Sequence, residues 1–199
     1  SKSRTDLQAP AGAAAALAFG GFARVARMTP LPAFCTPIPL DKAYRLLNHG
    51  PTVLVSSAHA GQHNVMAAAW SMPLDFSPPK VTVVIDKATH TRALVEGSGW
   101  FALNVPARGL AQATLGVGSD SATDTPDKLQ RHGIQLFQHE GCDVPLVQGC
   151  VGWLLCKLMP EPHNQQTYDL FIGEVTQAWA DERVFVRHDL GDVVAMFCY

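Results

Sequence analysis

Seven short runs rich in β-branched and aromatic residues constrain the fold of this chain more than any other feature. Such runs predict β-strands, and seven strands in one domain need a closed or stacked sheet to cover their apolar faces. Short polar turns separate the last runs, which favours an antiparallel meander or barrel over a doubly wound parallel sheet. The predicted strands are Thr52–Ser57, Lys80–Ile85, Trp100–Val105, Cys150–Leu158, Tyr168–Trp179, Val184–Arg187 and Val193–Cys198.

Helical signals are fewer and shorter. The clearest one covers residues 125–132, where Thr125 is a typical N-cap, Pro126 suits the first helical position and Gly133 favours a stop. We therefore predict a mainly β fold with short helices. The other predicted helices are Asp41–Asn48, Thr89–Glu96 and Gly109–Leu115.

Composition indicates one soluble cytoplasmic domain without a nucleic-acid or membrane partner. The 199 residues are 47% apolar and 16% charged, with a formal net charge of -2. Lysine and arginine are scattered, which predicts no nucleic-acid surface, and no run approaches the roughly 20 apolar residues of a membrane helix. An odd cysteine count without Cys-x-x-Cys spacing indicates a reducing compartment. The cysteines are Cys35, Cys142, Cys150, Cys156 and Cys198.

Residues 1–27 differ from the rest of the chain. They contain a low-complexity run rich in Ala and Gly, Pro10–Phe22, and they end directly before Met28. We interpret them as an upstream or vector-derived extension, because a retained export signal would not fit the cysteine usage. The functional domain is then predicted to span residues 28–199.

The most constrained segment of the chain, residues 61–104, holds residues suited to a flavin. A flavin needs backbone amides at its pyrimidine ring, apolar area at its dimethylbenzene ring, and amides with hydroxyls at its phosphate. The small side chains of Ala67, Ala68 and Ala69 leave the backbone approachable, while Asn64 and Trp70 add an amide and an indole. A closely packed strand explains the alanines alone more simply, and Trp70 fits a core aromatic equally well.

The turn Asp86–Arg92 is suited to a phosphate. A helix predicted to begin here would present free amides and the positive end of its dipole. Thr89 and Thr91 offer hydroxyls and Lys87 a cation, so the segment suits a monophosphate ester. An ordinary capped helix start with solvated charges is the alternative.

Three other kinds of site fit the sequence less well. The pair Gly116-Val-Gly118 does not complete Gly-x-Gly-x-x-Gly and no clear strand precedes it, which disfavours a dinucleotide-binding Rossmann unit. His59 and His63 would form a metal pair only on a helix, and a glycine lies between them. Gly-x-Ser-x-Gly does not occur, and Cys142 near His139 is the least unfavourable nucleophile.

Several separated elements, in a fixed order, resemble the flavin reductase-like, FMN-binding split-barrel family, and the resemblance runs from about Pro37 to Tyr199. It implies a Greek-key split β-barrel that dimerises, with FMN, or alternatively FAD, held in a groove at the subunit interface. The elements are the Asn64–Trp70 block, Pro78–Pro79 before a Val-rich strand, Thr91 entering a helix that ends at Ser98–Gly99, the Phe101–Val105 strand, an Asp127–Lys128 helix and Phe171–Val175.

The resemblance also assigns roles to single residues. It makes Asn64 and Trp70 flavin contacts, gives the strand Ala67–Ser71 backbone contacts to the ring, and places the phosphate at the turn Asp86–Thr91. It also makes Lys128 the lysine that reaches the flavin from the later, Asp127–Lys128 helix. The predicted cofactor-binding residues are Asn64, Ala67, Ala68, Ala69, Trp70, Ser71, Asp86, Lys87, Thr89, Thr91 and Lys128.

Tyr168 marks a departure from the family pattern. Many relatives carry a His shortly before the Phe171–Val175 element, where this chain has Tyr168. A phenol stacks and donates a hydrogen bond but carries no charge near neutral pH. We therefore expect Tyr168 to contact the substrate, and nicotinamide or substrate handling to differ from those relatives.

The leading functional hypothesis is an NAD(P)H-dependent flavin reductase. In it, a hydride passes from NADH or NADPH to flavin N5 without a catalytic acid, base, nucleophile or metal, while the protein orients the reactants. One alternative is an FMN-holding electron-transfer protein that a protein partner reduces. A second is an FMN-dependent reductase of a metal complex or a quinone. We expect a homodimer whose further partner is an oxygenase or an electron-transfer protein.

Overall fold

The computed structural model describes residues 51–141, 143–181, 185–187 and 194–196. In these residues the strands are β1 (Val53–His59), β2 (Gln62–Ala68), β3 (Ser71–Phe76), β4 (Pro79–Val84), β5 (Trp100–Pro106), β6 (Leu136–Phe137), β7 (Leu146–Val147), β8 (Cys150–Met159), β9 (Leu170–Ala180), β10 (Phe185–Arg187) and β11 (Val194–Met196). The helices are α1 (His90–Ser98), α2 (Ala111–Ser119), α3 (Lys128–Arg131) and α4 (Pro162–Tyr168), and a 3-10 turn covers Arg108–Leu110.

Seven strands pair antiparallel in the order β2-β1-β5-β8-β9-β4-β3. The two end strands, β2 and β3, follow each other along the chain with only Ala69 and Trp70 between them. Six of the seven strands contribute to one core cluster, so the sheet curls around a single interior. The predicted mainly β, Greek-key split-barrel class is confirmed.

The sheet is buried on both faces where α2 covers it. Val53 and Val55 of β1 point into the central cluster, whereas Leu54 lies on the opposite face. There Leu54 packs with Val65 of β2 and Val117 of α2. Because successive side chains of a strand face opposite sides, burial on both faces explains the uninterrupted apolar run at the start of β1.

Gly173 of β9 illustrates how tightly the interior is packed. A Cβ atom at this position would lie 2.5 Å from Cζ of Phe101 and 2.8 Å from Cβ of Cys156. Phe101 is completely buried. Only glycine leaves room for that ring, which gives the glycine of the Phe-Ile-Gly-Glu-Val element a packing role.

Strand and helix limits differ from the predictions at several places. The strands β2 and β3 were not among the predicted runs, because Gln62–Ala68 and Ser71–Phe76 contain few β-branched residues. Tyr168 ends α4 instead of opening a strand, and the segment before it is helical with Pro162 at its start. The helix predicted from Thr125 is one turn, Lys128–Arg131.

Other predictions fall on residues that the structure does not describe. They are the extension 1–27, the start of the domain at residue 28, the helix Asp41–Asn48, and the cysteines Cys35, Cys142 and Cys198. Among the helices of the described ranges, none has the length and apolar character needed to cross a bilayer.

Candidate functional site

The three alanines lie where β2 passes into β3. Ala68 points into the central core, and Ala67 points to the opposite face, toward α2. A Cβ atom on Gly118 of α2 would lie 3.0 Å from Cβ of Ala67, so helix and strand approach closely. Close packing therefore accounts for Ala67 and Ala68, while Ala69 remains half-buried at the junction.

Trp70 and Ser71 complete this junction. The side chain of Trp70 is 48% exposed, and its carbonyl accepts a hydrogen bond from the amide of Val84 at 3.0 Å. Ser71 is half-buried and pairs with Val83. The junction is thus fastened to the end of β4, and Asp86 lies two residues after that end. The strand junction and the predicted phosphate turn are neighbours in the structure.

Asn64 and Thr91 form a buried contact between β2 and α1. The side-chain amide of Asn64 donates to the hydroxyl of Thr91 at 2.9 Å. Asn64 is 2% exposed and Thr91 is completely buried. The hydroxyl of Thr91 accepts this bond and keeps its own proton for another acceptor. The pair holds the helix against the strand.

The turn before α1 is built around Asp86. The Asp86 carboxylate accepts a hydrogen bond from the amide of Ala88 at 2.7 Å, and the hydroxyl of Thr89 donates to the carbonyl of Asp86 at 2.7 Å. Thr89 is the N-cap of α1, and its side chain does not cap the helix. The first amides of α1 consequently keep their capacity to bind an anion.

Lys87 stands at the exposed side of this turn. Its side chain is 61% exposed, and its ammonium group donates to the carbonyl of Gln166 at 2.6 Å and lies 3.5 Å from the carboxylate of Asp169. Both partners lie at the end of α4. The guanidinium of Arg92, which hydrogen-bonds Asp169, is the main cause that lowers the pKa of that carboxyl, with a smaller contribution from Lys87.

Lys128 is buried behind α2. It is 2% exposed, and its ammonium group donates to the carbonyls of Val117 at 3.2 Å and Asp120 at 3.0 Å. Burial lowers its pKa, and the nearby Asp120 carboxylate partly opposes that shift. Two of its three N–H groups therefore cap the C-terminal end of α2.

Tyr168 is the last residue of α4 and is 62% exposed. Its ring meets His163 of the same helix edge to face, with 5.8 Å between the ring centroids. Because the next residue is Asp169, which holds Lys87, Tyr168 lies at the same end of α4 as the phosphate turn.

The structure thus brings most of the predicted residues into one region. The strand junction, the Asp86–Thr91 turn and the end of α4 adjoin one another, whereas the hydrogen bonds of Lys128 go to the C-terminal end of α2. Sequence reasoning missed Asp169 and gave Arg92 no role, because their contact spans 77 residues of chain. The uncapped helix start, the exposed lysine and the half-exposed indole together fit a flavin monophosphate.

A cavity of about 1040 Å³ lies elsewhere, at the β1–β2 turn. Its described walls include His59, His63, Trp100 and Phe137, but no Lys or Arg and none of the predicted cofactor residues. Asp143 adds a carboxylate to it. The start of α1 with Lys87 suits a phosphate ester better than this cavity does, because no lysine or arginine lines the described part of the cavity.

Metal and thiol chemistry receive no support from the described part of the chain. His59 and His63 lie on the two strands of a hairpin, and no group of three or more metal-ligating side chains occurs among the described residues. Cys150 and Cys156 are free and buried, and burial raises the pKa of each to about 12. Neither is an ionised nucleophile near neutral pH.

Comparison with known proteins identifies similar chains. The family model of the flavin reductase like domain matches residues 45–191. An uncharacterised Escherichia coli (strain K12) protein, YddH, is 46% identical over 154 residues, covering 76% of this chain and 81% of that protein.

Solved structures show the same likeness. An FMN-binding domain of a flavin reductases-like enzyme from Shewanella baltica OS155 shares 57% identity at a TM-score of 0.67, covering 74% of this chain and 78% of that one. The flavoredoxin of Desulfovibrio vulgaris (Miyazaki F) shares 27% identity at a TM-score of 0.62, covering 69% of this chain and 73% of that one.

Proposed function

We propose that this chain, which belongs to the flavin reductase like domain family, is an FMN-binding NAD(P)H:flavin oxidoreductase. The observation that carries the proposal is the uncapped start of α1 with the exposed Lys87, next to a strand junction that presents Trp70. The similarity to the FMN-binding Shewanella baltica domain supports the choice of FMN over FAD.

The residues of the site then take the following roles. The backbone from Ala67 to Ser71 faces the flavin ring system and Trp70 walls its edge. The first amides of α1, with Lys87 and Thr89, bind the phosphate. Asn64 and Thr91 are buried, so they act mainly by holding β2 and α1 together. Lys128 uses its third proton at the flavin, from behind α2.

The chemistry needs binding and orientation more than proton transfer. When bound, FMN supplies an acceptor for a hydride from NADH or NADPH at its N5 atom. The protein's part is to align the two rings and exclude water, which uses no acid, base or nucleophile. Tyr168 lies at the exposed end of α4 and is the proposed contact for the nicotinamide or substrate.

We propose that two copies of the chain form the working unit. Four large apolar side chains follow each other at every second position from the junction through β3, and all are exposed: Trp70, Met72, Leu74 and Phe76. We call these four side chains the β3 row; a register shift between Pro73 and Asp75 interrupts the regular alternation of β3, so they share their exposure at the sheet edge rather than one face. An apolar row of this kind at a sheet edge favours association.

The two buried free thiols are consistent with a reducing, cytoplasmic location.

An electron-transfer protein is the second candidate. It is supported by the similarity to the Desulfovibrio vulgaris flavoredoxin and by the phenol of Tyr168, which offers no positive charge to a nicotinamide. In that case a protein partner, rather than NADH or NADPH, would deliver electrons to the FMN.

The visible spectrum of the FMN-loaded protein separates these candidates. Under anaerobic conditions NADH and then NADPH are added, and the flavin band is followed with time. Rapid bleaching is expected for the reductase. Stable FMN without bleaching would favour the electron carrier, and failure to bind FMN would contradict both.

A further inference from the structure

Arg92 is a buried charge that the proposed chemistry does not use. It is the third residue of α1 and is 8% exposed. A buried guanidinium is costly unless its donors are paired. Here the donors reach parts of the chain far apart in sequence, so their partners show what Arg92 holds together.

The contacts of Arg92 join α1 to three other places. Its Nε donates to Glu96 on the same helix at 2.9 Å, and one terminal nitrogen donates to the carbonyl of Gln165 on α4 at 2.8 Å. The other terminal nitrogen donates to the Asp169 carboxylate and, at 3.3 Å, to the carbonyl of Ile85.

Packing and charge reinforce these contacts. The guanidinium carbon lies 5.1 Å from the ring centroid of Phe171 on β9. Burial alone would lower the pKa of Arg92, but the hydrogen bonds to Asp169 and Glu96 more than offset it, so its pKa is raised. The group stays charged, and its planar fork makes bonds that a lysine cannot reproduce.

Asp169 carries the effect of Arg92 to the phosphate turn. Its carbonyl accepts a hydrogen bond from the amide of Ile85 at 2.9 Å, directly before the turn. Its carboxylate lies 3.5 Å from the ammonium of Lys87. Arg92 thus fixes, through Asp169, both the strand that enters the turn and the lysine that stands beside the helix start.

We propose that Arg92 is the positioning residue for the flavin phosphate. It clamps the start of α1 to the α4–β9 junction and thereby determines how strongly the protein prefers FMN over riboflavin. This inference rests on the proposed function. The strand junction at Trp70 serves the ring system in the proposed function, so riboflavin, which has the same ring system without the phosphate, reports the ring's contribution to binding.

The test compares the affinities of the purified full chain for FMN and for riboflavin, with Arg92→Gln, Arg92→Lys and Asp169→Asn. Each variant is expected to weaken FMN binding about tenfold, the factor that corresponds to about 1.4 kcal/mol, with riboflavin affinity nearly unchanged. Arg92→Lys is not expected to restore the preference. Arg131→Gln, which removes an exposed arginine on α3, is the matched control and should retain it.

The outcomes separate the inference from the function. A wild-type chain that prefers FMN, with variants that lose FMN and riboflavin affinity equally, would leave the function standing and overturn the inference. Unchanged FMN affinity in the variants would overturn it too. A wild-type chain that binds neither flavin would end the proposed function itself. If neither Arg92 variant folds, Asp169→Asn decides, because that side chain is partly exposed and its replacement has the same shape.

Discussion

At the scale of single residues, the candidate site depends on buried polar groups that are paired. Asn64 bonds Thr91, and Lys128 bonds two carbonyls at the end of α2. Removing one partner of a buried hydrogen bond leaves the other without compensation for lost water. These side chains therefore couple the stability of the fold to the shape of the site.

The Asn64–Thr91 bond can be measured by a double-mutant cycle. Asn64→Ala and Thr91→Val should each lower the free energy of unfolding by about 1–3 kcal/mol. The double variant should lose less than the sum of the two, because the second change removes a partner that is already unpaired. Urea denaturation of all four proteins gives the coupling. As a control, Gln62→Ala, at an exposed position of the same strand, should change the free energy of unfolding by less than about 0.5 kcal/mol. If the losses of the two single variants add up to that of the double variant, the Asn64–Thr91 bond contributes nothing to stability.

Replacing Lys128 with Met tests two roles at once. The change leaves the last carbonyls of α2 without their donor, and we expect a loss of about 1–3 kcal/mol in the free energy of unfolding. The proposal also requires weaker FMN binding. Stability and FMN affinity are measured on the same samples, with Arg131→Gln as the exposed control on α3. Lower stability with unchanged FMN affinity would confine Lys128 to a structural role.

At the scale of elements, a glycine of α2 makes room for a side chain at the end of α3. A Cβ atom on Gly116 would lie 2.2 Å from Nδ1 of His132, whose Nε2 lies 2.7 Å from the carboxylate of Asp120. Asp120 directly follows α2, so the imidazole bridges the helix end and α3. Gly116 leaves space for this ring at a helical position where alanine would otherwise be favoured.

Gly116→Ala should accordingly destabilise the protein. The intrinsic gain of about 1 kcal/mol from alanine in a helix is outweighed when His132 is displaced from Asp120. We expect a melting temperature lower by about 2–4 °C, which corresponds to about 1 kcal/mol. Gly109→Ala is the control, since nothing lies within 4 Å of a Cβ there. Adding His132→Ala should remove the penalty; a persistent penalty would place the clash elsewhere.

At the scale of the whole molecule, the β3 row is the surface through which two copies of the chain are proposed to associate. Phe76 is 97% exposed, and the row ends on an edge strand of the sheet. Burial of such side chains in a dimer removes apolar area from water, and each large side chain contributes about 1.5–3 kcal/mol when it is fully covered. A second copy of the chain is the proposed cover.

Phe76→Glu should convert the dimer into a monomer. Light scattering after size exclusion is expected to give twice the chain mass of 21.4 kDa for the wild type and the single mass for the variant. Leu115→Glu makes the same kind of change at an exposed leucine of α2 and should remain dimeric. A monomeric wild type would refute the dimer, and a dimeric Phe76→Glu variant would place the interface elsewhere.

The sequence by itself determined the features that depend on neighbouring residues. Strand runs such as Trp100–Val105 and the helix after Thr89 follow from local composition, and their short polar connections led to an antiparallel sheet. Close packing around Ala67 was also foreseeable, because small residues in a row indicate close approach. The strands β2 and β3 were not among the runs predicted from composition, since their residues have weak intrinsic preference and are held by partners across the sheet.

The tertiary structure alone decided which distant groups meet. Arg92 finds Asp169 across 77 residues, and the lysine of the phosphate turn finds the end of α4 across a similar stretch. It also brought Asn64 and Thr91, 27 residues apart, into a buried hydrogen bond, while their flavin contacts stay a prediction. Long-range hydrogen bonds depend on how the sheet curls, and burial depends on what packs above each residue. Neither is encoded in the local spacing of the chain.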